Sequence, residues 1–488
     1  MIKKLSGKFW LIMLLLSFET AVAQIPGKAY GGTKNDQGFS VCVLADGNYA
    51  MVGRTRSFGA GANDIWVLKL STVGRVLWSR TLGSELLERA YWVEATRDGG
   101  LVVLGFSNGL PGRQPRHDAY LVKMDLDGNI LWEGLYGSIG RDIGFCVRES
   151  QDSGFVFLGY TKSYGNRGDL FFVKTDSVGN EIWRRHYSSP YVDYGHEFLL
   201  TADGGYLLFG SESGFYYPTS LDHAKKHADM FLIKVDADGI EQWRKNIGGP
   251  RHELGRALHA APGGGFYLFG STQSYGAGSF DQYLVRIDSN YDTLWTRTYG
   301  GTEWEYGNSI DLDAEGNLYL LGTTNSFGQA GSPDIWLQKV DPNGNLIWSL
   351  TLGGNASDYG YQVKALPEGG CILAGDTRSF GEGEQDVFFT RVTASGQIDI
   401  LLQDVSTNEI VIYPVPVSGT SVVDPRPLIG QEAFEWRVYN TRGKLVVQDI
   451  VAAGNRTSLK RSRLRTGAYI YEVWVKGEVR ASGKFLVQ

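Results

Sequence analysis

Seven carboxylates occupy one place in a recurring segment: Asp36, Glu88, Asp142, Asp193, Glu253, Glu305 and Asp358. Each ends a loop, in the stretches YGGTKND, LGSELLE, YGSIGRD, YSSPYVD, IGGPRHE, YGGTEWE and LGGNASD. Carboxylates brought to one mouth could share a cation such as Ca²⁺, or bind amines or sugar hydroxyls. Left bare they repel: at about 8 Å and an effective dielectric near 20, each neighbouring pair costs about 2 kcal/mol. They must therefore accept backbone N–H bonds, point outward, or share a cation. A ligand needs a particular set of groups, whereas seven copies of one group suit a repeated structural task. Capping of each acid's own loop is the expected role, with a ligand or Ca²⁺ site as the functional alternative and no other cofactor expected. A second row, Asp64, Asp118, Asp169, Asp229, Asp281, Asp334 and Asp386, opens an apolar run in each repeat and reads the same way.

Symmetry breaks most in SESGFYYPTSLDHAKKHAD, residues 211–229. Phe215, Tyr216 and Tyr217 stand where other repeats carry Ser-Phe/Tyr-Gly, and they suit a sugar or protein ligand. His223 and His227 have the i, i+4 spacing of a metal pair if that piece is helical, but no third ligand follows them. The DLDGN turn at 125–129 resembles the start of a calcium loop and lacks its remaining ligands. Cys42, Cys146 and Cys371 are too few and too scattered for a disulfide framework and fall in expected strands, where buried thiols are the reading. There is no G-x-S-x-G, HExxH, Walker loop or dinucleotide fingerprint.

The elements that carry these residues are strands. The Asp-led runs DIWVLKL, DAYLVKM, DLFFVKT, DMFLIKV, DQYLVRI, DIWLQKV and DVFFTRV recur at intervals of 51 to 60 residues, slightly above the range expected of propeller repeats. Each unit reads as four short strands. The first follows the loop acid, the second follows turns such as ADGN and PEGG, the third is the Asp-led run, and the fourth carries a Trp. One such sheet cannot bury both faces, so the sheets must pack in a closed ring. The expected fold is an all-β, seven-bladed β-propeller. Trp78, Trp132, Trp183, Trp243, Trp295 and Trp348 are expected in its core, each covering about 150–250 Å² and contributing at most about 4–6 kcal/mol. The seventh unit lacks its Trp, and GKAYGG at 27–32 matches the tail of a fourth strand. That segment is expected to dock beside residues 396–402 and close the ring.

The chain ends differ from the repeats. Lys3, Lys4 and Lys8, an apolar run from Phe9 to Phe18, and AVA before Gln24 read as a signal peptide over 1–23, cleaved between Ala23 and Gln24. The run is about half of a membrane span, so no transmembrane segment is expected in the mature chain. Residues 24–404 hold 32 Lys and Arg against 45 Asp and Glu, a net charge of −13, which argues against nucleic acid. Residues 405–488 hold 12 against 7, a net charge of +5, and alternate apolar and polar residues as a small β-sandwich would.

This tail resembles the type A C-terminal sorting domain of proteins exported by the type IX secretion system of Bacteroidetes-type bacteria. The residues that carry the likeness are IYPVP at 412–416, with Val415 where the family usually has Asn, VYNTRGKLV at 438–446, LRTGAYIYEV at 464–473 and KFLVQ at 484–488. The resemblance implies passage through the periplasm and the outer membrane, with the type IX machinery as partner of residues 405–488. The expected function is that of a non-enzymatic binding module for a glycan or protein, secreted or held on the cell surface. Its rivals are a glycan-active hydrolase or lyase and a purely structural envelope or adhesion protein.

Overall fold

The computed structural model describes residues 27–109, 117–164, 168–189, 192–213, 227–328, 331–399, 411–413, 420–424, 432–452, 455 and 457–487. Between Lys28 and Val392 it forms seven antiparallel four-stranded sheets. Six are built from consecutive strands, the first of them Asp36–Val43, Tyr49–Thr55, Asp64–Leu70 and Val76–Leu82. Each sheet packs its face on the next, and the first meets the last: Val41, Met51 and Trp66 share a buried cluster with Ile372, Val387 and Phe389. This is a β-propeller. Among the described residues no helix is long and apolar enough to cross a membrane.

The ring is closed by the N-terminus in a way that corrects the expected pairing. Lys28–Tyr30 lies antiparallel to Asp386–Val392, with Ala29 opposite Phe388, and so supplies the fourth strand of the last sheet. Ile398 makes only a single bridge to Val392, and residues 400–402 lie outside the described residues. Tyr30 donates its hydroxyl to the Gly74 carbonyl, as Tyr136 does to Gly179, Tyr187 to Gly239 and Tyr299 to Gly344. The likeness of GKAYGG to a fourth-strand tail therefore reflects the same place in the fold.

The six Trp residues are half-buried, each packed against a core cluster, and they also clasp the neighbouring sheet. Trp78, Trp132 and Trp348 donate their indole N–H to carbonyls in the neighbouring sheet's turn, at Leu126, Ser177 and Ala394. The ring lies on the turn glycine, so close that a Cβ at Gly128 would stand 3.1 Å from Trp78. Under Trp243 the glycine is replaced by Tyr291, which takes φ 65° and stacks edge-on at 4.5 Å. A second clasp joins the basic residue of the third strand to the acid of the turn between strands one and two. Lys69 meets Asp46 at 2.6 Å, Lys123 meets Asp98 at 2.9 Å, and Lys339 meets Asp313 at 2.7 Å.

The C-terminal region has its own sheets, one of three strands and one of four in the order Leu445–Val451, Phe434–Asn440, Gly467–Val475, Glu478–Val487. Trp436, Val438, Val473 and Phe485 of the larger sheet bury a core that Leu459 of the smaller one enters. Two of the sorting-domain motifs carry turns that side chains hold. Asn440 Oδ1 accepts the N–H groups of Arg442 and Lys444, each at 3.0 Å, and the Tyr469 hydroxyl clamps both backbone groups of Arg465.

Candidate functional site

The structure places all seven loop acids at the start of the innermost strands, none more than 1% exposed. Their oxygens are occupied. Gly32 N–H, Ser138 N–H, Ser189 N–H, Gly249 N–H, Gly301 N–H and Gly354 N–H each donate to the acid four residues on, at 2.7–3.0 Å. Ser84 N–H does the same for Glu88 at 3.1 Å. A hydroxyl nineteen residues downstream supplies a second bond: Thr55, Ser107, Thr161, Thr272, Thr324 and Thr377. Six of the seven acids thus tie the incoming loop to the end of their sheet's second strand. The Asp125 carboxylate of the calcium-like turn is likewise spent on the N–H groups of Asp127 and Asn129. Among the described residues no three His, Cys, Asp or Glu side chains gather to hold a metal ion.

The two rows of acids meet at the sheet junctions. A Cβ at Gly83 would touch both Asp64 and Glu88, and one at Gly31 both Asp386 and Asp36. Burial, with the Glu88 charge added, pushes Asp64 up to about 6. Sheet four departs from the pattern: Glu212 stands opposite Asp193 where the others have a hydroxyl. Burial and that second carboxyl push Asp193 up to about 7. Asp376 rises to about 6 by burial, against hydrogen bonds from Gln385 and Gln37.

These shifts predict a pH profile. Asp64, Asp193 and Asp376 hold protons more tightly folded than unfolded, so their contribution to stability falls as pH rises from about 4 to about 7. For Asp376, from 3.8 to about 6, the change is about 3 kcal/mol. Asp98 and Asp152 are held near about 2 against burial, chiefly by hydrogen bonds from Thr96 and Lys123 and from Lys174 and Ser150. Their contribution is lost as pH falls below about 4. Urea unfolding should show greatest stability near pH 4–5, with a decline toward pH 8 that Asp193→Asn reduces. Stability rising steadily to pH 8 would contradict this assignment.

The residues that vary from sheet to sheet lie one step further along the first strands. Every first strand carries a bulge three residues after its acid, and the bulged residues are Phe39, Tyr91, Phe145, His196, Arg256, Asn308 and Tyr361. All seven are half-buried and line the channel. They touch in sequence around the axis: Tyr361 to Phe39 at 5.0 Å, Phe39 to Tyr91 at 5.5 Å, Tyr91 to Phe145 at 5.2 Å, and Phe145 to His196 at 5.7 Å between ring centroids. Arg256 then reaches His196 at 3.3 Å, and Asn308 donates to the Gly360 carbonyl at 2.8 Å. Burial and the Arg256 charge hold His196 well below its ordinary value. Beyond this collar Arg148 bridges Glu94 and Glu197 at 2.5 and 2.7 Å, and His259 meets Asp311 at 3.2 Å. The channel is therefore closed by an aromatic arc, a basic arc and an ionic layer.

Phe215, Tyr216, Tyr217, His223, Ala23 and Gln24 lie outside the described residues. His227 is described, and its ring meets His252 edge-on at 5.1 Å. Cys42, Cys146 and Cys371 are buried free thiols, pushed upward by burial. The collar was missed in the sequence, although its signal was present as the variable position after acid-x-Gly/Ala.

Residues 411–488 match the model of the secretion system C-terminal sorting domain. The chain carries a type IX sorting domain. It is exported by that system to the cell surface or beyond it. The regulatory protein FlaEY of Caulobacter vibrioides is 25% identical over 189 residues, covering 36% of this chain and 18% of that protein. The chain thus spans less than a fifth of the length of that curated relative. Among solved structures, the Kuenenia stuttgartiensis hydrazine synthase matches 74% of this chain and 97% of its own at 12% identity and a TM-score of 0.48. The Neurospora crassa Pan2 WD40 domain matches 72% and 88% at 9% identity and a TM-score of 0.44. At such identities no activity transfers to this chain.

Proposed function

We propose that the cargo is a seven-bladed β-propeller, residues 24–404, acting without catalysis as a binding module for a glycan or protein. The signal peptide 1–23 starts its export, and the β-sandwich of residues 405–488 is its address for the type IX machinery. The observation that carries the reading is the collar. Seven equivalent positions are filled by half-buried side chains of five types, while the repeated acids are consumed by backbone and hydroxyl donors. Function resides in such a site and not in the fold. Catalysis would need a proton-transfer group open to the channel. Asp376, beneath Tyr361, has the shifted value but is fully buried, with its oxygens taken by Gln37 and Gln385 at 2.7 and 2.6 Å.

Thermal melts of the full chain test this. A ligand selective for the folded state adds about 2.7 kcal/mol at about 100 times its Kd. Millimolar Ca²⁺ should leave the melt unchanged, because the acids' lone pairs are occupied. A member of a glycan and peptide panel should raise it, and Phe145→Ala should abolish that rise. A calcium shift would return the acids to the role of metal ligands, and silence across the panel would support a purely structural protein.

A further inference from the structure

The collar's aromatic arc borders, at Tyr91, a cleft of about 190 Å³ between sheets one, two and three that carries basic side chains. Arg89, Tyr91, Phe106, His117 and Arg141 line it. Arg54 adjoins it through Asn63, to which its Nη1 donates at 3.0 Å, while its Nε donates to Gln37 at 2.6 Å. Burial and the charges of Arg89 and Arg56 push Arg54 down to about 10. Guanidinium groups this close, in a domain of net charge −13, would be expected to have carboxylate partners. Among the described residues neither Arg54, Arg89 nor Arg141 forms an ion pair.

Arg89 is the group best placed to act. Its guanidinium lies over the Phe39 and Tyr91 rings at 5.4 and 5.6 Å. Its Nη1 donates to the Tyr91 hydroxyl at 3.2 Å, which leaves Nε and Nη2 as a two-donor edge. Such an edge matches a carboxylate bidentately. The carboxylate already at the cleft, Glu88, is buried and held by Ser84 and Ser107. Phe106 is the cross-strand neighbour of Arg89; His117 stacks on it at 5.3 Å, with its Nδ1 enclosed without a hydrogen-bond partner. Positive groups beside aromatic side chains suit a sugar ring that has an apolar C–H face and a carboxylate.

We propose that this cleft binds a uronic acid residue of an acidic glycan, its carboxylate on Arg89 between Arg54 and Arg141 and its ring against Tyr91 and Phe106. The assignment rests on the binding-module reading and narrows it to one ligand class and one side of the channel. Isothermal titration of the full chain with trigalacturonate tests it, alongside its methyl ester and free acetate. Binding should weaken with salt, fall at least tenfold for the methyl ester, and fall at least tenfold in Arg89→Gln. Arg141→Gln, at an exposed position, should weaken it several-fold with an unchanged melt, and Arg297→Gln on the outer rim should leave it intact. Equal binding of the ester, or an Arg89→Gln variant that binds as before, would overturn the acidic site and leave the module reading standing. Competition by acetate at similar concentration would overturn the sugar component. Failure of trigalacturonate to bind, when another panel member does, would overturn this assignment alone, whereas failure of every panel member would overturn the module reading as well.

Discussion

Tyr30→Ala should open the propeller at its seam and cost about 3–5 kcal/mol, the range for deleting a large buried aromatic side chain. Tyr30 is 5% exposed and packs in the cluster that joins the first and last sheets, with Tyr49, Trp66 and Phe389. Its hydroxyl also satisfies the Gly74 carbonyl. The strand it sits on is only three residues long, so few other contacts hold that strand in the last sheet. Tyr136→Ala removes the equivalent contact at another junction, but there the strand is Ile130–Tyr136 and stays anchored along seven residues. The seam variant should therefore lose more of its urea midpoint than the internal one. Removing residues 27–32 should go further, because Asp386–Val392 becomes an unpaired edge open to other chains. Light scattering should then report association. A seam variant that unfolds at the wild-type midpoint would show that the N-terminal strand does not carry the closure.

What could be read from the sequence is explained by period. The Asp-led runs mark third strands at Asp64, Asp118, Asp169, Asp281, Asp334 and Asp386, and the structure begins a strand at each of them. In sheet four the strand begins one residue later, at Met230. Local pattern fixed these elements because a strand's alternation and its flanking turns are short-range. The errors came from relations between sheets. A Trp in a fourth strand looks like core by size, yet the fourth strand is the rim, so its half-buried indole packs on the core's edge and also covers the neighbouring sheet's turn. The closing segment was matched to the right strand type and given the wrong partner, since the sequence shows a missing fourth strand without showing that the N-terminal copy takes its place.

The candidate site was legible in the opposite sense. Identical residues drew attention because they repeat, and repetition marks the frame. The carboxylates recur because every junction has the same orphaned loop N–H to satisfy, and six of the seven also have a threonine or serine hydroxyl. The collar residues share no type, so no motif announces them; only the bulge after acid-x-Gly/Ala places Phe39, Tyr91, His196 and Arg256 on one circle. A bulge re-aims one side chain out of the sheet, and here it does so at the same height in each sheet.

The sign of one substitution separates frame from ligand site. Asp36 accepts from Gly32 N–H at 2.9 Å, Arg56 N–H at 3.1 Å, Ser57 N–H at 3.3 Å and Ser57 Oγ at 2.6 Å, as well as from the Thr55 hydroxyl. Its removal at the seam leaves Gly32 N–H without its acceptor, while Arg56 N–H keeps the Asn35 carbonyl at 3.0 Å and Ser57 N–H the Thr55 hydroxyl at 3.1 Å; an unsatisfied buried donor costs about 1–3 kcal/mol. The hydroxyls can turn to other acceptors but Gly32 N–H cannot, so Asp36→Ala should destabilise the chain by about 1–3 kcal/mol. Asp36→Asn keeps one acceptor oxygen and the shape of the side chain, and should cost about 1–2 kcal/mol. Calcium should rescue neither variant. A ring of bare carboxylates waiting for a cation makes the opposite forecast: relief of repulsion would make Asp36→Ala more stable than the parent in the absence of calcium and less responsive to it. Urea unfolding of the two variants with and without Ca²⁺ therefore decides the matter by direction alone, and destabilisation by Asp36→Ala without calcium is the outcome that the hydrogen bonds at Asp36 require.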